Sequence, residues 1–150
     1  MQLSDRRSPP AGRPRRGFER SFNPSCTDCR AVAVALQAVV ITSNPDVASP
    51  HNAAVAANGG CTRCETFAYA WRYVVSTGGP VRITPAGQQA ISALRAKASS
   101  LAHSSLAFPA LVDALDEVAA DFRAVIDNEV ERVGGHGISE RSLDIDDGGW

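Results

Sequence analysis

The chain has 150 residues, 44% of them apolar, and a formal net charge of −1, which suits one compact domain with an ordinary core. That balance hides an asymmetry: residues 1–30 hold seven arginines against three acids, and residues 108–150 hold eleven acids against three arginines, a pattern typical of solvated tails or helix faces. No run of 18 apolar residues occurs, so a membrane span is not expected, and the N-terminal stretch lacks the apolar centre of a secretory signal, which leaves the cytoplasm as the default location.

Residues 1–24 are rich in Arg, Pro, Ser and Gly without apolar periodicity and read as a disordered basic arm. Nucleic-acid binding by this arm is not expected, because no recognised motif accompanies the arginines; were it to occur, it would be salt-sensitive and lost on deleting residues 1–20.

The domain proper, 25–133, opens on a unit written twice. Cys26-Thr27-Asp28-Cys29 and Cys61-Thr62-Arg63-Cys64 lie 35 residues apart, and segments 26–56 and 61–91 share ten identities in 31 aligned positions, among them Ala33/Ala68, Ala35/Ala70 and Val39-Val40/Val74-Val75. Val32, Leu36, Val39 and Val40 follow helical spacing, as do Phe67, Trp71, Val74 and Val75. A helix is therefore expected from near each CxxC, the second with Thr62 and Glu65 in a capping box. Both should stop at the prolines of Ser43-Asn44-Pro45 and Gly78-Gly79-Pro80. Strand is the alternative for the paired valines, but the alanine content favours helix.

Ser49-Pro50 and Thr84-Pro85 then each pair a cap with proline at the first helical position. The first begins a short helix over 51–57; the second begins a longer one with Ile91, Leu94, Ala98 and Leu101 on one face. After Pro109 a final amphipathic helix carries Leu111, Leu115, Val118, Phe122, Val125 and Ile126 on one stripe with acids opposite. Gly134-Gly135 closes it, and 134–150 reads as a disordered acidic tail. The expected fold is all-α: a two-copy CxxC-helix-turn-helix repeat followed by a long C-terminal amphipathic helix. Two copies fall short of the three units that a solenoid needs.

The four cysteines carry the chemistry. At helix starts their thiols should ionise readily. A helix of about 16 residues advances about 24 Å, and the shorter return helix with its connection can bring the second pair back to the first. Three outcomes stay open, in this order: a structural zinc held by Cys26, Cys29, Cys61 and Cys64, two disulfides among them, and catalytic redox cysteines. The 31 residues between the pairs exceed the spacing of about 15–20 usual in zinc ribbons. His51, His103 and His136 are scattered and read as surface residues. Trp71 reads as core, and Tyr69 and Tyr73 as packing between the copies. No GxSxG elbow or phosphate-cradling glycine loop occurs.

The run Cys26-Thr27-Asp28-Cys29-Arg30-Ala31-Val32-Ala33-Val34-Ala35-Leu36-Gln37, with Cys61-Thr62-Arg63-Cys64-Glu65-Thr66-Phe67-Ala68-Tyr69-Ala70 and Gly78-Gly79-Pro80-Val81-Arg82-Ile83-Thr84-Pro85, resembles an Ala/Val-rich region of bacterial proteins labelled peptide zinc metalloproteases. Their catalytic module carries HExxH in a membrane-embedded setting. Neither feature occurs here, so the resemblance implies an accessory domain without protease activity, and relatives that act outside the cytoplasm would favour disulfides. The function expected is that of a non-enzymatic structural or binding domain stapled through its cysteines, with another protein or a second copy as partner. The alternative is a thiol redox or metal-handling protein.

Overall fold

Alternation of side-chain size sets the structure of the repeat. In 30–41 alanines at 31, 33 and 35 alternate with Val32, Val34 and Leu36; in 65–76 Ala68 and Ala70 alternate with Phe67, Tyr69, Trp71 and Tyr73. A period of two is the period of a strand, whose successive side chains point to opposite faces. The computed structural model describes residues 2–5, 16–24, 27–42 and 50–133. Its strands are β1 (Gln2–Asp5), β2 (Arg16–Pro24), β3 (Arg30–Ile41), β4 (His51–Gly59), β5 (Glu65–Ser76), β6 (Val81–Ile83) and β7 (Val130–Arg132), with helices α1 (Pro85–Ala102) and α2 (Phe108–Glu129) between the last two strands. The all-α expectation is thereby overturned. The segments expected as helices from each CxxC are β3 and β5, and the short helix over 51–57 is β4. Segment 1–24, read as a disordered arm, contains β1 and β2. The tail 134–150 lies outside the described residues.

The repeat winds into coils. β1, β3 and β5 form one parallel sheet in that order, and β2 and β4 a second. Every register pair in these two parallel sheets is offset by the repeat length of 35 residues: Gln2 opposes Gln37, Arg16 opposes His51 and Arg30 opposes Glu65. A coil is thus one strand of each sheet, joined at the CxxC corner. Two copies, short of a solenoid by themselves, are supplemented by β1 as a third rung and by the two helices.

Each face of the first sheet has its own partner. Val34, Leu36 and Ala38 of β3, with Tyr69, Trp71, Tyr73 and Val75 of β5, pack against Ile91, Ala98, Val118, Phe122 and Ile126 of the helices. The opposite row of β3, Ala31, Ala33, Ala35, Gln37 and Val39, is buried against the second sheet. Asn52 ties the layers together, donating from Nδ2 to the carbonyls of Ala35 at 2.9 Å and Trp71 at 2.7 Å. At positions 31, 33 and 35 alanine leaves little more than a methyl group between the layers.

The helices lie where the 3.6-residue period places them. Thr84 caps α1, accepting the Gly87 N–H, with proline in the first turn. Thr84 Oγ1 also donates to Glu129 Oε2, and its N–H donates to the Glu129 carbonyl at 2.9 Å, so the start of α1 is fixed to the end of α2. Gly87 permits this approach: a Cβ there would lie 2.6 Å from the Glu129 Cβ. The acids of α2 are not all solvated. Asp116 accepts the Tyr69 hydroxyl and Asp127 the Tyr73 hydroxyl, each at 2.6 Å, so the tyrosines clamp β5 to α2 in place of the packing between copies expected of them.

Burial first, and then the hydrogen bonds to Asp116 and Asp127, push both phenols above their ordinary value. A raised native value means that the folded chain holds those protons more tightly. The stabilisation is complete below pH about 10 and is lost as pH climbs through the raised values. Since Tyr69 and Tyr73 are the only two tyrosines, absorbance at the phenolate band reads them alone. Ionisation is expected later than in free tyrosine and together with loss of the circular-dichroism signal; titration at the ordinary value with the fold intact would refute the clamp.

Candidate functional site

Thr-x-Cys at each corner turns the chain from one sheet to the other. Asp28 and Arg63 adopt left-handed backbone, with φ of 54° and 55°, a conformation that costs a non-glycine residue on the order of 1–3 kcal/mol unless its surroundings enforce it. The surroundings here are the neighbouring corner. Thr27 and Thr62 form a parallel bridge, Asp28 N–H donates to the Thr62 carbonyl and Glu65 N–H to the Cys29 carbonyl, both at 2.9 Å. Arg63 then grips the Asp28 carboxylate with two nitrogens, at 2.6 and 2.8 Å. That bidentate contact holds the Asp28 carboxyl below its ordinary value and Arg63 above its own. Any stabilisation from Asp28 is present above the ordinary carboxylate range and lost as pH falls through its depressed value.

The sulfurs lie within this stack. Cys61 and Cys64 are joined in a disulfide with Cα atoms 6.0 Å apart, and Cys29 is disulfide-bonded as well. Cys29 N–H also donates to Cys64 Sγ at 3.3 Å, so the two corners touch through sulfur. Cys26 lies outside the described residues. A zinc held by Cys26, Cys29, Cys61 and Cys64 needs four thiolates, and with Cys61 bonded to Cys64 the described residues do not supply that set. Nor do three or more His, Cys, Asp or Glu side chains gather elsewhere among the described residues in a way that could hold a metal. The expected acidification by helix N-termini has no basis here, because each corner leads into a strand; Glu65 opens β5 rather than completing a capping box.

The remaining candidates separate. Trp71 packs against Phe122, ring centres 5.9 Å apart. His51 begins β4 on its exposed face, and His103 ends α1 with Nδ1 2.7 Å from the Ser99 carbonyl. His136 lies outside the described residues.

Another feature escaped sequence reasoning altogether: among the described residues the coil stack stops without a cover. Among the described residues no strand pairs with the far edge of β4 or of β5. The inner row of β5, Ala68, Ala70, Arg72 and Val74, is exposed, although the equivalent row of β3 is buried. Comparison of the chain with family models, with curated proteins and with solved structures gave no match. No helix among the described residues is long and apolar enough to cross a membrane.

Proposed function

We propose that this chain is a non-enzymatic structural or binding module, a short stack of parallel coils stapled at its corners by disulfides, which serves as an accessory domain to another protein. The observation that supports this most directly is the stacking of the two CTxC corners, with backbone bonds and an Arg63–Asp28 pair holding one coil on the next and the Cys61–Cys64 bridge bracing the second corner itself. Such bridges persist in oxidising compartments, which favours action outside the cytosol over the default location. The likeness to the metalloprotease-associated region supports the accessory role and brings no protease chemistry with it.

Reduction tests this. Closing a loop as short as CxxC stabilises by about 2 kcal/mol through chain entropy, and for a chain of this size 1 kcal/mol moves the melting midpoint by about 2–4 °C. The pair Cys61→Ser and Cys64→Ser is expected to lower the midpoint by roughly 4–8 °C, reductant by more because Cys29 is bridged as well, and the native chain should resist alkylation. Rapid alkylation of the untreated chain with an unmoved midpoint would refute the staple. One observation favours a second function: the Cys29 N–H aimed at Cys64 Sγ would stabilise a thiolate once the bridge opens. A redox protein would reduce a disulfide substrate in solution. Intact mass separates all three outcomes, since two bridges remove four hydrogens and zinc adds its own mass.

A further inference from the structure

We infer that the uncovered end of the coil stack binds an extended strand of another polypeptide, laid parallel to β4 and over the inner face of β5. This strand presents small residues inward and an acidic residue near its N-terminus. The site rests on the binding-module function proposed above.

The fold contains its own template for this complex. β4 pairs with β2 over nine residues, from Arg16 and His51 to Pro24 and Gly59. Packed alongside β3, it helps close the inner row: Ala33 is 4% exposed, Ala35 2%, Gln37 1% and Val39 6%. At the same repeat positions one coil later Ala68, Ala70 and Arg72 are exposed and Val74 is 40% exposed. Among the described residues, what separates the two rows is a strand on the far side of β4, where none pairs. Strand addition at a sheet edge draws affinity from main-chain hydrogen bonds and specificity from alternate side chains.

The chemistry of the occupant follows from the gap. β4 presents Asn52, Ala54, Ala56 and Asn58 to the interior, with the asparagines donating to Ala35, Trp71 and Glu65 carbonyls across the layers. An interlayer built on alanine accepts Ala, Ser or Asn and rejects larger side chains. Charge fixes polarity. Arg72 lies at the start of β4, donating from Nη1 to the Pro50 carbonyl, while Glu65 lies at its end, where its carbonyl accepts Asn58 Nδ2. An acid at the N-terminal end of a parallel strand meets Arg72.

The probe is a synthetic peptide carrying the sequence of residues 51–59 preceded by aspartate, added to the full, oxidised chain. Hydrogen exchange over 51–59 is expected to slow at least fivefold at saturation. Affinity should fall at least tenfold when the two inward alanines of the peptide are replaced by leucine, and likewise in the Ala70→Leu variant, whose exposed side chain leaves the fold intact. No slowing at millimolar peptide, or equal binding by the leucine peptide or by the variant, overturns the inference. So does a free chain that sediments as a dimer with 51–59 already protected, since a second copy would then cover this end. Failure here with reduction still lowering the melting midpoint leaves the stapled module standing, whereas loss of the staple shows in the melting experiment alone.

Discussion

Ala35→Leu is expected to destabilise the chain by about 2–3 kcal/mol, the upper range for forcing methylenes into a packed interior, whereas Ala70→Leu should stay within about 0.5 kcal/mol. The two residues occupy the same repeat position and lie directly opposite each other in the β3–β5 register. Ala35 is 2% exposed on the row between the sheets; Ala70 is exposed at the open end. Because 1 kcal/mol moves the midpoint by about 2–4 °C at this size, thermal melts should separate the two variants by roughly 4–12 °C. In a helical hairpin the two copies would be equivalent and leucine, a strong helix former, would be accepted in both. Equal midpoints for the two variants would therefore refute the coil stack, not merely its uncovered end.

The same alanines explain why the repeat was legible and its conformation was not. The offset of 35 is written in the cysteines, threonines, alanines and valines, and it is the offset of every strand pair in both sheets. Alanine and valine are both apolar, so the inside-outside alternation that usually announces a strand is missing from β3, which is covered on both faces. With polarity uninformative, Val32, Leu36 and Val39 can be read at helical spacing as easily as Val32, Val34 and Leu36 at strand spacing. Size was the discriminating property: three alanines on one parity, and in β5 four aromatic residues on the other. Alanine's helix propensity then lost to packing, because at positions 31, 33 and 35 a methyl group is what fits between the two layers. The helices were easier, since α1 and α2 each face one core and solvent on the other side, and Thr84-Pro85 marks the start of α1 chemically. The corners were legible as a paired sulfur site, but not the left-handed turns at Asp28 and Arg63, whose conformation follows from stacking against each other rather than from local sequence. Nor does anything in β5 alone announce an open end, which appears only when its inner row is compared with that of β3.

Phe122→Ala probes the other side of the first sheet, where the helices hold the coils. Phe122 is fully buried and meets Trp71 at 5.9 Å between ring centres, within a cluster that joins Leu36 and Ala38 of β3 to Val118, Ala119 and Ile126 of α2. Removing a buried phenylalanine costs about 3–5 kcal/mol, part transfer free energy and part cavity, against a total stability of about 5–15 kcal/mol for a domain. A fall in midpoint of roughly 6–20 °C is expected, larger than that from opening the Cys61–Cys64 bridge. Val55→Ala, at an exposed position on the outer face of β4, should change little and serves as the control. The comparison orders the forces in this fold. The Cys61–Cys64 bridge restricts only its own four-residue corner in the unfolded chain, whereas the aromatic row of β5 seated on α2 contributes most of the attraction, with Tyr69 and Tyr73 adding directional bonds at its edges. If Phe122→Ala melted within a degree or two of the parent while reduction unfolded the chain, that order would be reversed, and the staples rather than the helices would be what holds the coils in place.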